Sequence, residues 1–464
     1  MIVAHVPLER SYRALLGVPQ IGRIIVSGLI ARIAQSMVGA AVVLFVLAEY
    51  DSPTLAGLVV FASVFPGLLV SPIAGALLDR PGRMRLIMLD YIIAVAALVL
   101  IGTLSLAGAL PVPLLLLIAI VSSLTAILSH TGLRSLFPII VPRHLWERVN
   151  AVDSNGYLVA TILGPPIAAA LVALVGGATA LIIIGASYGV AVLALIGDED
   201  PRIETASTGR LFVDAWQGML YTWRNRTLRG LGFSISLFSL AGGTSTIVEP
   251  LIVLERLRVG ELAVGLVFAM SGLTGMASAF LFGRIDTHRR EWMLLVLPMI
   301  ATAPAVALLL IPASTEDVVL GLAAAALSFA WIGFLHGPMD IALFTIRQRR
   351  TDPAWMGRAF AVSMAFNSIG FPVGAALAGL IAAASLEAAV LLGVGACLVA
   401  ALVAAILIPR REQPGPDPER QKRDKYARPI WIQSADASVD PTGRTLLAAP
   451  RLPPRSAPRR AGPA

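Results

Sequence analysis

The chain predicts an all-α membrane protein of twelve transmembrane helices, arranged as two pseudosymmetric six-helix bundles. Three observations carry this reading. Of the 464 residues, 57% are hydrophobic and 14% are charged, whereas a soluble domain holds roughly 25% charged residues. The apolar residues fall in runs of about 20, the length a helix needs to cross a bilayer core, without the two-residue alternation of a β-barrel. The connections between runs alternate between arginine-rich and arginine-poor, as topology signals do.

The spans are expected at 21–48, 54–78, 86–108, 112–133, 151–175, 178–197, 229–254, 260–282, 292–312, 317–344, 358–384 and 386–408. One set of connections carries Arg80, Arg83 and Arg85; then Arg134, Arg143 and Arg148; then Arg202, Arg210, Arg224 and Arg226; then Arg284, Arg289 and Arg290; then Arg347, Arg349 and Arg350. The other set carries Glu49 and Asp51, two connections without charge, then the 255–261 stretch, Glu316 with Asp317, and Glu387. Short arginine-rich loops stay in the cytoplasm. Residues 1–20 are therefore a cytoplasmic N-terminal segment, both termini lie inside, and the protein is expected in the inner membrane. No cleavable signal peptide is expected, because the first apolar run is too long for one.

Residues 21–197 form the first bundle and 229–408 the second. Between them, in the 198–228 linker, Leu211, Phe212, Ala215, Trp216, Met219, Leu220 and Trp223 recur at helical spacing. That pattern predicts an amphipathic helix lying in the inner interface. Residues 409–464 exchange aliphatics for Pro and Arg, and a disordered basic tail is expected. The bundles read as repeats. The same spacing separates His130 from Gly164 and His336 from Gly370, and Asp79…Arg83 has an echo in Asp286…Arg290.

The net charge of +8 is read as orientation signal rather than nucleic-acid binding. The single cysteine, Cys397, rules out an intrachain disulfide and a CxxC site. No Walker GxxxxGK[ST], HExxH or GxSxG pattern occurs, so neither ATP-driven transport nor enzymatic chemistry is expected. No cofactor or metal is expected either.

Ionisable groups inside spans are functional candidates because burying charge in lipid is costly. Arg32 lies mid-span in helix 1, with Gln35 on the same face. It is either a cavity-lining cation, for substrate or for a carboxylate partner, or a structural arginine held by backbone carbonyls. Glu249, before Pro250 in helix 7, is either a proton carrier or a wet acid at the outer rim. Arg134 follows His130 in helix 4 at the place where Asp340 follows His336 in helix 10. The repeat thus suggests an ion pair between the halves; the alternative is two separately solvated helix ends. The two histidines titrate near neutrality, or serve as satisfied hydrogen-bonding groups. Asp153 begins helix 5.

The segment from Gly75 through Asp79, Arg80, Gly82, Arg83 and Arg85 is the most informative. Gly82 permits a sharp reversal. Asp79 can pair with the arginines or sit at a helix N-terminus. Gly75, Asp79, Arg80, Gly82 and Arg83 match the G-x-L-x-D-R-x-G-R-R signature, and the chain resembles the major facilitator superfamily. The resemblance implies a latch between the two transporter halves at this hairpin. Gly164-Pro165-Pro166 in helix 5 is similar to the G-P-x-x-G-G motif of antiporters, with alanines where the closing glycines stand. Ala31–Gln35 and Val141–Ala151 are similar to segments of the drug:proton antiporter-3 branch, the macrolide-efflux-like and siderophore-exporter-like transporters. Asp90 resembles a recurring acid of that branch and is expected to serve the helix 2–3 latch.

Together these imply a secondary active transporter that exports a small amphipathic molecule, a drug or secondary metabolite, in exchange for protons, by alternating access. The alternatives are a specific siderophore or metabolite exporter, a facilitated importer, or a non-transporting sensor. The expected partners are a small-molecule substrate, protons and the lipid bilayer, and the expected state is a monomer.

Overall fold

The computed structural model describes residues 11–78, 82–197, 211–284, 290–315, 317–351 and 356–410. Asp79, Arg80, Asp286 and the 411–464 tail, which figure in the expectations above, lie outside the described residues. A short helix α1 (Tyr12–Leu16) precedes the first bundle. That bundle comprises α2 (Ile21–Tyr50), α3 (Pro53–Leu78), α4 (Arg83–Leu106), α5 (Val112–Ile140), α6 (Trp146–Val175) and α7 (Gly177–Leu195). Helix α8 (Leu211–Arg224) leads to the second. It comprises α9 (Arg226–Leu251), α10 (Glu261–Phe282), α11 (Glu291–Ala307) with α12 (Leu310–Ser314), α13 (Val318–Arg349), α14 (Met356–Ser368) with α15 (Gly370–Ala382), and α16 (Leu386–Leu407). Twelve of these stretches are long and apolar enough to cross a membrane.

Several spans differ from expectation at their ends, and two are broken. Helices α5 and α6 run on to Ile140 and back to Trp146, because Leu136, Phe137, Leu145 and Val149 continue the buried face. Spans nine and eleven were expected to be continuous, but α11 gives way to α12 at Leu308–Leu309 and α14 to α15 at Ile369. Each break begins at, or next to, the carbonyl four residues before a proline. Pro312 has no N–H for the Leu308 carbonyl, and Pro372 has none for Ser368. The Leu308 carbonyl instead accepts from the Ile311 N–H at 3.1 Å. Pro338 bends nothing so visibly: the Phe334 carbonyl it frees is taken by the Ser278 hydroxyl of α10 at 2.5 Å, which ties two spans together. After Pro250, α9 passes into one π-helical turn, Ile252–Arg256.

The two bundles repeat one packing scheme. Helix α2 packs on α6 and α7 as α9 packs on α15 and α16; α3 lies on α5 as α10 lies on α13; α4 lies on α7 as α11 lies on α16. Between the bundles, α3 meets α15 and α6 meets α10. The repeat-related glycines do the same work. A Cβ on Gly164 would come within 2.5 Å of Ser36 on α2, and one on Gly370 would overlap the Ser236 carbonyl of α9. Small residues let helix backbones touch, which is how spans associate where no hydrophobic force acts between them.

The connections define an arginine-rich end and an arginine-poor end of the molecule. The close approaches between bundles lie in the arginine-poor half or at mid-span. Gly57 and Gly379 bring α3 and α15 into backbone contact, and Thr54 Oγ1 donates to the Gly379 carbonyl at 3.2 Å. On the matching seam, Gly265 of α10 packs on Pro165 and Pro166 of α6, and Gly272 on Ile162. The Gly164-Pro165-Pro166 motif thus stands where α6 meets both α2 and the opposite bundle.

Helix α8 packs on α14 and on the start of α9. It buries Gly218 and Thr222 and leaves Trp216, Met219, Leu220 and Trp223 exposed along one face.

Candidate functional site

The polar centre of the first bundle forms where α2, α5 and α6 converge. Asp153, seven residues into α6, is 4% exposed at its side chain and is shared by two arginines. Arg32 Nη2 pairs with Oδ1 and Arg32 Nη1 donates to the Asp153 backbone carbonyl at 3.1 Å. Arg134 Nε donates to Oδ2 at 3.0 Å. One helical turn on, the Tyr157 ring lies beneath both cations, its centroid 4.1 Å from Arg32 Cζ and 4.5 Å from Arg134 Cζ. Guanidinium groups stacked on an aromatic face gain from its quadrupole, so ring and carboxylate together fix both planes.

Two further expected residues join this network. The Tyr157 hydroxyl lies 3.3 Å from the His130 ring nitrogens, and His130 Nδ1 lies 3.4 Å from Gln35 Oε1. Arg32, Gln35, His130 and Arg134 are thus brought together. Of the alternatives for Arg32, a carboxylate partner is what the structure contains, with one backbone carbonyl in addition. Sequence reasoning noted Asp153 but gave it no role, and passed over Tyr157. The signal was present: an acid at the start of a span, four residues before a tyrosine, with Arg32 inside another span and no acid assigned to it.

A cavity of about 260 Å³ opens beside this centre. Ile24, Leu29, Phe137 and Val159 supply apolar wall, and Arg32 and Asp153 supply its charge. A second space of about 10 Å³, bounded by Arg32, Tyr91, His130 and Tyr157 among others, is the size of one water. The Tyr91 hydroxyl is buried with no hydrogen-bond partner among the described residues.

The expected ion pair between Arg134 and Asp340 is not formed. Arg134 is engaged by Asp153 in its own bundle, and Asp340 is exposed one turn from His336. The bundles touch toward the other end, so nothing draws these two helix ends together in this conformation. The His336 ring stacks edge-on against Phe238 at 5.7 Å, with Nδ1 2.8 Å from the Ile332 carbonyl. Asp90 faces the hydroxyls of Ser129 and Thr125 on α5.

Glu249 stands apart. It lies near the arginine-poor end of α9, is 0% exposed, and neither carboxylate oxygen has a hydrogen-bond partner among the described residues. It is buried rather than exposed at the rim. At the hairpin, Gly82 has φ +106°, a conformation that suits glycine. Arg83 is buried, its Nε donating to the Leu78 carbonyl, and Arg85 is exposed. One buried arginine escaped the sequence reading as more than a loop charge: Arg347 of α13 is 0% exposed and reaches Met364 Sδ at 2.9 Å.

The description Major Facilitator Superfamily matches residues 24–371. The chain is 34% identical over 402 residues to the MFS-type transporter y4rN of Sinorhizobium fredii, covering 86% of this chain and 97% of the relative. It is 25% identical over 367 residues to the multidrug efflux pump Tap of Mycobacterium tuberculosis, covering 74% and 82%. Among solved structures, the nucleoside transporter NupG superposes with TM-score 0.66 at 12% identity, over 83% of this chain and 99% of that one. A bacterial homologue of the human lysosomal transporter Spinster gives 0.63 at 16% identity, over 88% and 100%. With its twelve spans and two bundles of matching helix packing, the chain belongs to the major facilitator superfamily, as a membrane transporter and not an enzyme.

Proposed function

We propose that this transporter is a proton-coupled exporter of small amphipathic molecules, working by alternating access in the bacterial inner membrane. The arginine-rich end faces the cytoplasm, following the positive-inside rule, and both termini lie there. The bundles comprise 21–197 and 229–408, joined by the 198–228 linker. On that orientation, the bundle contacts toward the arginine-poor end support a conformation sealed outside and open inside. Substrate binds between the halves near the midplane.

The observation that carries proton coupling is Glu249, fully buried and without a hydrogen-bond partner among the described residues. An ionised carboxylate so placed is costly, which suits a group that takes up and gives off a proton as the transporter turns over. Outward opening hydrates the arginine-poor end of α9 and lets the proton exchange. The efflux direction draws on the relative named as a multidrug efflux pump. The hairpin around Asp79, Arg80, Gly82, Arg83 and Arg85, with Gly75, serves as the latch of the inside-closed state, in which Arg134 and Asp340 approach.

The test is Glu249→Gln, a neutral isostere of the protonated acid. In proteoliposomes with an imposed pH gradient, the variant should lose proton-driven movement of a ligand found by thermal-shift screening, while retaining ligand binding and counterflow. Undiminished gradient-driven movement would remove Glu249 from the coupling.

A further inference from the structure

Resting on the exporter reading, we infer that the substrate is an amphipathic organic anion whose oxyanion group is received by Arg32 and Arg134. Charge at this centre does not balance. The centre holds two guanidinium groups and one carboxylate, and that carboxylate already accepts from both. One positive charge is left over among the described residues.

Arg32 is eleven residues into α2, about 16 Å from its end at 1.5 Å per residue, and its charge is met by Asp153. The charge left over belongs to Arg134, whose side chain is 54% exposed and so open to a ligand.

The geometry is prepared for that anion. Arg134 uses only Nε on Asp153, its side chain is 54% exposed, and its two terminal nitrogens have no acceptor among the described residues. A guanidinium with both terminal nitrogens free presents the fork that binds carboxylate, sulfonate or phosphate in two parallel hydrogen bonds. Asp153 and the Tyr157 ring hold that fork in place before substrate arrives, so little ordering cost remains at binding. The adjoining cavity supplies apolar wall from Ile24, Leu29, Phe137 and Val159 for the rest of the molecule. A cationic amphipath meets the opposite case: Asp153 is 4% exposed and already occupied, and Asp90 is 5% exposed and faces the hydroxyls of Ser129 and Thr125.

The experiment uses the full chain in lipid nanodiscs and three probes of one shape: 2-naphthoate, 2-naphthamide and 2-naphthylmethylammonium. Calorimetry should rank naphthoate about tenfold or more tighter than either other probe, as a charge-assisted pair would give. Arg134→Gln should erase the advantage of naphthoate over the amide, and Arg134→Lys should keep part of it. The wild-type ranking alone decides the matter if the glutamine variant does not fold. Equal binding of all three, tighter binding of the ammonium, binding of none, or an unchanged naphthoate-to-amide ratio in Arg134→Gln would each overturn the inference. The exporter reading fails separately. Naphthoate that binds as ranked but is not moved by a pH gradient in vesicles supports the anion site and contradicts proton-coupled export. Gradient-driven movement of the ammonium but not of naphthoate does the reverse.

Discussion

Removing Asp153 should cost far more than removing either of its partners. Asp153→Ala leaves the Arg32 cation inside the bundle at 9% side-chain exposure, with the residue 153 backbone carbonyl and the Tyr157 hydroxyl, both neutral, to accept from it. Breaking a buried pair by deleting one partner costs about 3–5 kcal/mol, and here one deletion releases two cations. Arg134→Ala is different. Arg134 is 54% exposed, so its attraction is largely screened, and about 1 kcal/mol or less is expected. Arg32→Ala should fall between, because Asp153 keeps Arg134 as its counter-ion. The order Asp153→Ala, Arg32→Ala, Arg134→Ala, from most to least damaging, is measurable by denaturant unfolding of detergent-purified protein. The double replacement Arg32→Leu with Asp153→Leu should recover part of the loss, since an apolar pair of similar bulk removes the buried charges together. The reasoning is refuted if Arg134→Ala matches Asp153→Ala, or if the leucine pair is worse than Asp153→Ala alone.

Three further outcomes follow from packing. Gly164→Val and Gly370→Val both force side-chain atoms into the facing helix, and each should lower unfolding stability by about 1–3 kcal/mol; a neutral result at either would deny the close approach. Ser278→Ala returns the Phe334 carbonyl to an unsatisfied state beside Pro338, and a loss of about 1–3 kcal/mol is expected, read in the same unfolding assay. Gly82→Ala places a Cβ at φ +106°; it should reduce stability by about 1–2 kcal/mol and slow transport, whereas wild-type turnover would separate the hairpin from the cycle.

The spans were legible because lipid demands long apolar runs, and the end of the bundle to which each loop belongs was legible because arginine marks it. The breaks near Leu308 and Ile369 were not anticipated, although each is traceable to a later proline whose missing N–H is felt four residues earlier. The polar centre was legible in part. Arg32, Gln35, His130 and Arg134 stood out as polar groups in apolar runs, and they do meet. What could not be read was the partner. Repeat symmetry placed Arg134 opposite Asp340, but symmetry says which positions correspond, not which bundle faces touch in a given conformation. Asp153 was hidden among the charges that start its helix, and its role depends on α2 and α6 crossing, a contact between residues far apart in the chain.

Helix α8 has its own consequence. Trp216, Met219 and Leu220 are exposed along one face, while the Trp223 ring, itself partly exposed, meets Phe233 of α9 edge-on at 5.9 Å; an exposed apolar face beside a packed one is the arrangement expected of a helix seated in the lipid interface.

The central claim is that two bundles rock about a substrate held between them. Spin labels report it most directly, at Ser52 and Ala384 across the arginine-poor end and at Arg143 and Arg284 across the arginine-rich end. Double electron–electron resonance in nanodiscs should give opposite changes when pH and ligand are varied, the first distance lengthening as the second shortens. Two distances that stay fixed, or that lengthen and shorten together, would contradict the account.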